Sequence, residues 1–221
     1  MPTVSVRSNR YAAEQLRWIT LDWIAEGYTI PGQFITATTG DLKPGFFAIA
    51  SSPGQPIELL IKNSGETAER LCALQAGDTV EVSEPMGKGF PVENAAGRDL
   101  VFLVNGSGIS AVRPVIEAQI KSGLTREIHF LYGVRTPAHR PFLADLEWWG
   151  NAGITIHTVC DEAEELGWTG ATGFVQDAAN ALGLVREDVS VVLCGFPAML
   201  DAAKALYAEA GCPEDQVLTN F

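Results

Sequence analysis

What this chain has little of narrows it first. Cysteine is scarce and unpaired: Cys72, Cys160, Cys194 and Cys212 form no C-x-x-C pair, which argues against structural zinc, an iron–sulfur cluster and a disulfide framework. The 3 histidines, at 129, 139 and 157, offer no metal-ligand spacing and read as structural or solvated side chains. Basic residues are outnumbered 15 to 27, for a net charge of −12, split as −4 over residues 1–95 and −8 over 96–221. Such a surface repels nucleic acid and anionic membranes. A protein partner, if there is one, is expected to present a basic face. No apolar run approaches the roughly 20 residues of a membrane span. The opening Met1–Arg7 has no apolar core of a signal peptide, so a cytoplasmic location is expected, or the plastid stroma if a transit segment has been removed. Internal repeats, low-complexity tracts and paired carboxylate or histidine constellations are missing as well.

What remains is an ordinary globular composition, 47% apolar and 19% charged over 221 residues, enough for one large domain or two small ones. Residues 1–95 read as β. Short, often alternating segments recur at Thr3–Val6, Arg17–Asp22, Gln33–Thr38, Phe46–Ser51, Ile57–Lys62 and Thr79–Val82, with Gly, Pro or Asn at most joins. That spacing predicts a small antiparallel barrel. One helix interrupts it, behind Ser64 from Gly65 to Leu74, and its N-terminus is a candidate anion site. From about residue 96 the pattern changes to apolar runs at Leu100–Val104, Ile128–Tyr132, Ile154–Val159 and Ser190–Cys194. These alternate with helical stretches near 109–121, 142–149, 174–182 and 198–210, which signals a parallel sheet with covering helices. The expectation is two domains, 1–95 and 96–221.

The chain is organised around Leu100–Ser110, an apolar run ending in Asn105-Gly106-Ser107-Gly108, after which Ile109, Val112, Ile116 and Ile120 share one helical face. Strand, small-residue turn and helix N-terminus together suit a pyrophosphate, although turns of this kind also serve packing alone. Ligands of such sheets bind at the carboxyl ends of strands. Gly106, Gly133 and Gly195 each follow a strand there.

Several segments then line up in order: Pro31-Gly32-Gln33-Phe34, Phe47–Ser51, Lys62–Leu71, Glu84–Phe90, Gly106–Ser110, Leu131–Thr136 and Cys194–Met199. Each is weak alone; together, along nearly the whole chain, they resemble the ferredoxin–NADP reductase superfamily, with its flavin-binding-type antiparallel β-barrel followed by an α/β parallel-sheet nucleotide-binding domain. The Glu84–Phe90 loop looks like that of the dihydroorotate dehydrogenase electron-transfer subunit. The C-terminal iron–sulfur cysteines of that subunit are missing, which rejects that identity. The short reductase-like proteins of plastids and bacteria are the nearer likeness.

The resemblance implies FAD on the barrel, contacted by Phe47, Ala48, Ile49, Ser51, Lys62, Gly65, Glu66 and Thr67. It implies NAD(P)H on the sheet, contacted by Gly106, Ser107, Gly108, Ile109, Arg135, Gly195, Phe196 and Met199. Cys194 would lie beside the nicotinamide, acting by shape and polarity, and Phe221 would cover the flavin ring. Asp161 and Glu162 stand where NADP-dependent relatives carry a serine and a basic residue, so NADH is favoured over NADPH.

The departures lie in the flavin signature. R-x-Y-[ST] falls on Gly45-Phe46-Phe47-Ala48. Glycine replaces the arginine that pairs with the pyrophosphate, a loss of about 1.5–3 kcal/mol of cofactor affinity. Phe47 can still stack but lacks a hydroxyl. The implied activity is hydride transfer from NAD(P)H to FAD, with electrons passed on to an unidentified protein or small acceptor. The alternative is a non-catalytic reductase-like binding or regulatory subunit.

Overall fold

The computed structural model describes residues 1–95, 97–163 and 167–220. The first half forms β1 (Thr3–Ala13), β2 (Leu16–Leu21), β3 (Phe34–Thr38), β4 (Gly45–Ala48), β5 (Glu58–Lys62), α1 (Glu66–Ala73) and β6 (Thr79–Val82). All its pairings are antiparallel, in the order β4-β3-β6-β1-β2-β5. The sheet curls until its edge strands approach at one isolated bridge, Ile49–Leu59. It is a barrel that does not close. Alternation does the folding: Ile19, Ile35, Ile49, Leu59 and Ile61 point inward and are buried, each such side chain contributing about 1.5–3 kcal/mol.

β1 runs well past its expected end at Val6. Its polar second half breaks the apolar alternation, yet the side chains have work outside the barrel. Asn9 Nδ2 donates to Cys72 O (3.0 Å) and Leu74 O (2.7 Å), satisfying carbonyls at the end of α1, and Arg17 Nε donates back to Asn9 Oδ1 at 2.9 Å. Register shifts after Val6 and Tyr11 bend the strand across the sheet, as bulges do. The β1–β2 turn places Gln15 at φ 59.

The second half forms β7 (Asp99–Asn105), α2 (Ile109–Lys121), β8 (Ile128–Val134), α3 (Leu143–Asn151), β9 (Thr155–Cys160), β10 (Ala171–Thr172), α4 (Val175–Ala181), β11 (Val189–Cys194), α5 (Pro197–Glu209) and β12 (Val217–Leu218). The sheet is wholly parallel, ordered β10-β9-β8-β7-β11-β12. β7 sits inside it and is apolar on both faces, as a strand covered twice must be. Leu100, Phe102 and Val104 face one side with Val112 and Ile116 of α2; Val101 and Leu103 face the other with Val175, Ala179 and Ala203.

The two sheets are not separated by a solvated gap. Ala13, Leu16, Ala50, Leu60 and Phe90 of the barrel half belong to the same buried cluster as Leu100, Phe102 and Phe130. At the hairpin tip, Glu14 N donates to Ala138 O across the junction at 2.9 Å. Among the described residues, no helix is long and apolar enough to cross a membrane.

Candidate functional site

The carboxyl ends of β7, β8, β9 and β11 open onto a cleft of about 520 Å³ whose fourth wall comes from the barrel half, through Glu14, Gln15, Leu16 and Lys62. Its floor is two interlocked turns. After β7, Gly106 takes φ 54, Tyr132 Oη donates to its carbonyl at 2.8 Å, and Ser110 Oγ donates to Ser107 O at 2.7 Å. After β11, Phe196 N donates to Asn105 Oδ1 at 3.0 Å. A Cβ on Gly195 would fall 1.9 Å from that same Oδ1, and a Cβ on Gly108 would fall 2.8 Å from Cys194 O. Glycine is required at both positions because another turn's backbone or amide already occupies the space a side chain needs. Among the described residues no side chain caps the start of α2, and Ile109 N already donates to Ser107 O within the turn that leads into it.

Of the residues implied for the dinucleotide, Gly106, Ser107, Arg135, Phe196 and Met199 line this cleft. Gly108 packs under the loop against Cys194, and Ile109 is fully buried in the shared core. Gly195 serves the packing of the turn against Asn105. The Cys194 thiol is pushed up to about 12 by burial, so it stays neutral and is not a nucleophile. At the far end, Arg135 Nε donates to Glu162 Oε2 at 2.9 Å. Burial and the neighbouring Glu162 raise the Asp161 carboxyl above its usual range, with Arg135 pulling the other way.

The residues implied for the flavin lie elsewhere, except Lys62, which reaches the cleft with its ammonium 5.9 Å from the Phe196 ring centroid. Gly65, at φ 86, precedes α1; it has nothing within 4 Å of a would-be Cβ, and no side chain caps the helix. Thr67 Oγ1 donates to Lys43 O at 2.8 Å. Phe47 is half-buried with its ring against Gly45, where a Cβ would come within 2.9 Å of two ring carbons. Ala48 packs on the shared core and Ile49 fills the barrel. Ser51 is buried, its hydroxyl accepting from Glu58 N at 3.1 Å. Phe221 lies outside the described residues.

Several lining residues carried no signal. Glu14 and Gln15 sit in a polar hairpin with no motif. His139 lines the cleft with Nδ1 at 2.8 Å from Thr136 Oγ1 and 3.8 Å from Glu14 Oε2, although an isolated histidine reads as structural. Asn105 could have been found as a polar residue closing an apolar strand before Gly-x-Gly. Among the described residues, no cluster of three His, Cys, Asp or Glu side chains could hold a metal ion.

Comparison with known proteins matches this geometry. Residues 102–205 match the oxidoreductase NAD-binding domain family. The chain is 25% identical to the fruit protein pKIWI502 of Actinidia deliciosa, over 95% of this chain and 73% of that protein. It is 29% identical to the NAD(P)H-flavin reductase of Aliivibrio fischeri, over 78% of this chain and 77% of that one. The ferredoxin reductase of carbazole 1,9a-dioxygenase superposes with a TM-score of 0.85 at 23% identity, covering 99% of this chain and 68% of that one. An open antiparallel barrel packed on a parallel nucleotide sheet, with the cleft between, is the architecture of ferredoxin reductase-like FAD/NAD-binding proteins. The fold is theirs, and the chain is similar to members of the ferredoxin–NADP reductase superfamily along nearly its whole length.

Proposed function

We propose that this chain is an NAD(P)H-dependent flavin oxidoreductase, with residues 1–95 as its flavin domain and 96–221 as its dinucleotide domain. One observation carries the reading. The turns after β7 and β11 place Gly106, Ser107 and Phe196 in a cleft whose remaining wall, Gln15 and Lys62, belongs to the other domain. A dinucleotide held over Gly106 and Ser107 therefore extends toward the barrel.

The barrel residues fit a flavin dinucleotide. The uncapped start of α1 beside the open Gly65 offers backbone N–H groups to a diphosphate, and Phe47 offers an aromatic face. What is missing is the cation: Gly45 carries no charge, so the diphosphate would rest on backbone donors. When bound, flavin supplies acceptance of a hydride and release of electrons singly or in pairs. The chain's own part is alignment. Phe196 closes over Gly106, with ring carbon Cζ at 3.6 Å from a would-be Cβ, and the neutral Cys194 thiol lies behind the turn. No acid or base is needed beside it.

Asp161 and Glu162 favour NADH, because Arg135 is already paired with Glu162 and a 2′-phosphate would meet carboxylates. The excess of acid, −12 overall, suits an electron acceptor with a basic face. Flavin reconstitution followed by anaerobic titration with NADH and NADPH tests the reading. Bleaching of the flavin band, with NADH the tighter ligand, is the expected result. A colourless protein that binds NADH would instead support a reductase-like binding or regulatory subunit, the reading that the Phe47 ring packed on Gly45 favours.

A further inference from the structure

We propose that Arg113 is a positioning residue that fixes the register between the dinucleotide turn and the flavin strand; this rests on the functional reading above. Arg113 lies one turn into α2 and is 13% exposed. Its Nη1 donates to Ala50 O at 2.8 Å and meets Glu58 Oε2 at 3.2 Å, both on the barrel half. On the sheet half, Nε donates to Asp145 Oδ1 at 2.9 Å, and Nη2 lies 2.8 Å from the same oxygen and 3.3 Å from Glu117 Oε1. The guanidinium carbon is 5.4 Å from the Trp18 ring centroid and 5.1 Å from that of Phe142. Those two rings, one from each half, meet edge to face at 4.8 Å. Ser52 Oγ donates to Glu117 Oε2 at 2.7 Å, a second bond across the junction in the same cluster.

Stability alone is a poor account of this arrangement. Glu58, Glu117 and Asp145 surround one guanidinium; Arg10, 4.4 Å from the Trp18 ring centroid, also acts on Glu58, and the exposed Lys121 is 4.0 Å from Glu117. A buried ionic cluster is a weak stabiliser compared with apolar packing, and its best-attested use is to fix register. Phe142 holds φ 55, a backbone that a bulky residue keeps only where its surroundings over-determine it. The planar fork matters too, because Arg113 spends different edges on Ala50 O and Asp145, which a lysine cannot span.

The levers on both sides are short. Four residues of helix, about 6 Å, separate Arg113 from Ile109 at the end of the dinucleotide turn. Two residues of extended chain, about 7 Å, separate Ala50 from Ala48 on the flavin strand. Reacting atoms must lie about 3–3.5 Å apart, and a misplacement of about 1 Å costs roughly 100-fold in rate. A joint that couples two binding sites through such short arms therefore acts on transfer rather than on either affinity.

Backbone residual dipolar couplings, measured with single-turnover reduction of the flavin-loaded protein by NADH, test this. In wild type, the amides of both sheets should fit one alignment tensor. In Arg113→Met they should need two. The limiting transfer rate should then fall about 10–100-fold while NADH affinity and flavin content stay within about twofold. Arg113→Lys should fall between. Should Arg113→Met not fold, Glu58→Gln should give the same split at smaller amplitude. A folded Arg113→Met with one tensor and the wild-type rate overturns the proposal. So does a rate loss matched by an equal loss of NADH affinity, or a wild type that already needs two tensors. A wild type that NADH does not reduce overturns the functional reading instead, and the couplings still report on Arg113.

Discussion

Gly195→Ala tests the interlocked turns with one methyl group. Its Cβ would sit 1.9 Å from Asn105 Oδ1 and 2.8 Å from Met199 Cε, far inside contact distance. The Met199 methyl can swing away. The Asn105 amide can do so only by releasing Phe196 N, its partner at 3.0 Å. Overpacking costs about 1–3 kcal/mol and the lost hydrogen bond about 0.5–1.5, so the expected loss is about 2–4 kcal/mol. For a chain of this length that lowers Tm by roughly 5–15 °C. Because the displaced Phe196 lines the cleft, NADH affinity should fall as well. Calorimetry and NADH titration measure the two effects. The decisive step is the cycle with Asn105→Ala, which removes the obstructing oxygen, so the double variant should be less destabilised than the sum of the singles. Strict additivity, or a wild-type Tm for Gly195→Ala, would refute the argument. Gly108→Ala should be worse, since its Cβ would meet the Cys194 carbonyl at 2.8 Å, and backbone cannot swing aside.

Burial raises the Glu58 carboxyl above its ordinary value despite the opposing pull of Arg113. The native state thus holds that proton to higher pH than the unfolded chain. The contribution is fully present below the unfolded value near ~4.3 and is lost as pH rises through the folded one. Denaturant midpoints against pH should show that decline in wild type and a flatter profile in Glu58→Gln. Gly45→Arg alone should destabilise by about 1–3 kcal/mol, because Phe47 ring carbons lie 2.9 Å from the new Cβ. It should not tighten FAD unless Phe47→Ala clears the space, and tighter FAD with unchanged Tm in the single variant would show the ring to be no obstacle. Asp161→Ser with Glu162→Arg should tighten NADPH about 10–100-fold, the worth of one charge-assisted bond. Isothermal titration decides it, and unchanged NADPH affinity would move the 2′ position away from this loop.

The sequence made β7, its turn and α2 readable because local signals agree there. Ile109, Val112 and Ile116 are all fully buried, as their spacing predicted. The second half of β1 was hidden because Asn9 and Arg10 look like loop residues until α1 and β2 supply their partners. β10 and β12 are two-residue edges, too short to show any period. Gly106 and Ser107 could be placed in the cleft by motif, whereas Gln15 and His139 arrive from segments whose only claim is where the tertiary fold brings them. Arg113 was illegible for a similar reason: a charged residue on a helix reads as solvated until three carboxylates converge on it.

The cluster that runs from Leu16 and Phe90 into Phe102 and Phe130 also constrains how this protein melts. Because the boundary between barrel and sheet is dry, neither half can lose its packing without exposing the other's apolar face. Far-ultraviolet signal from the helices and fluorescence from Trp18 should therefore vanish in one coincident transition. A chain severed near residue 95 would leave each fragment with half an interior. The sheet could not be transplanted as a cassette, and recombination between relatives at that seam would have to carry Ala13, Leu16, Ala50 and Leu60 along with it.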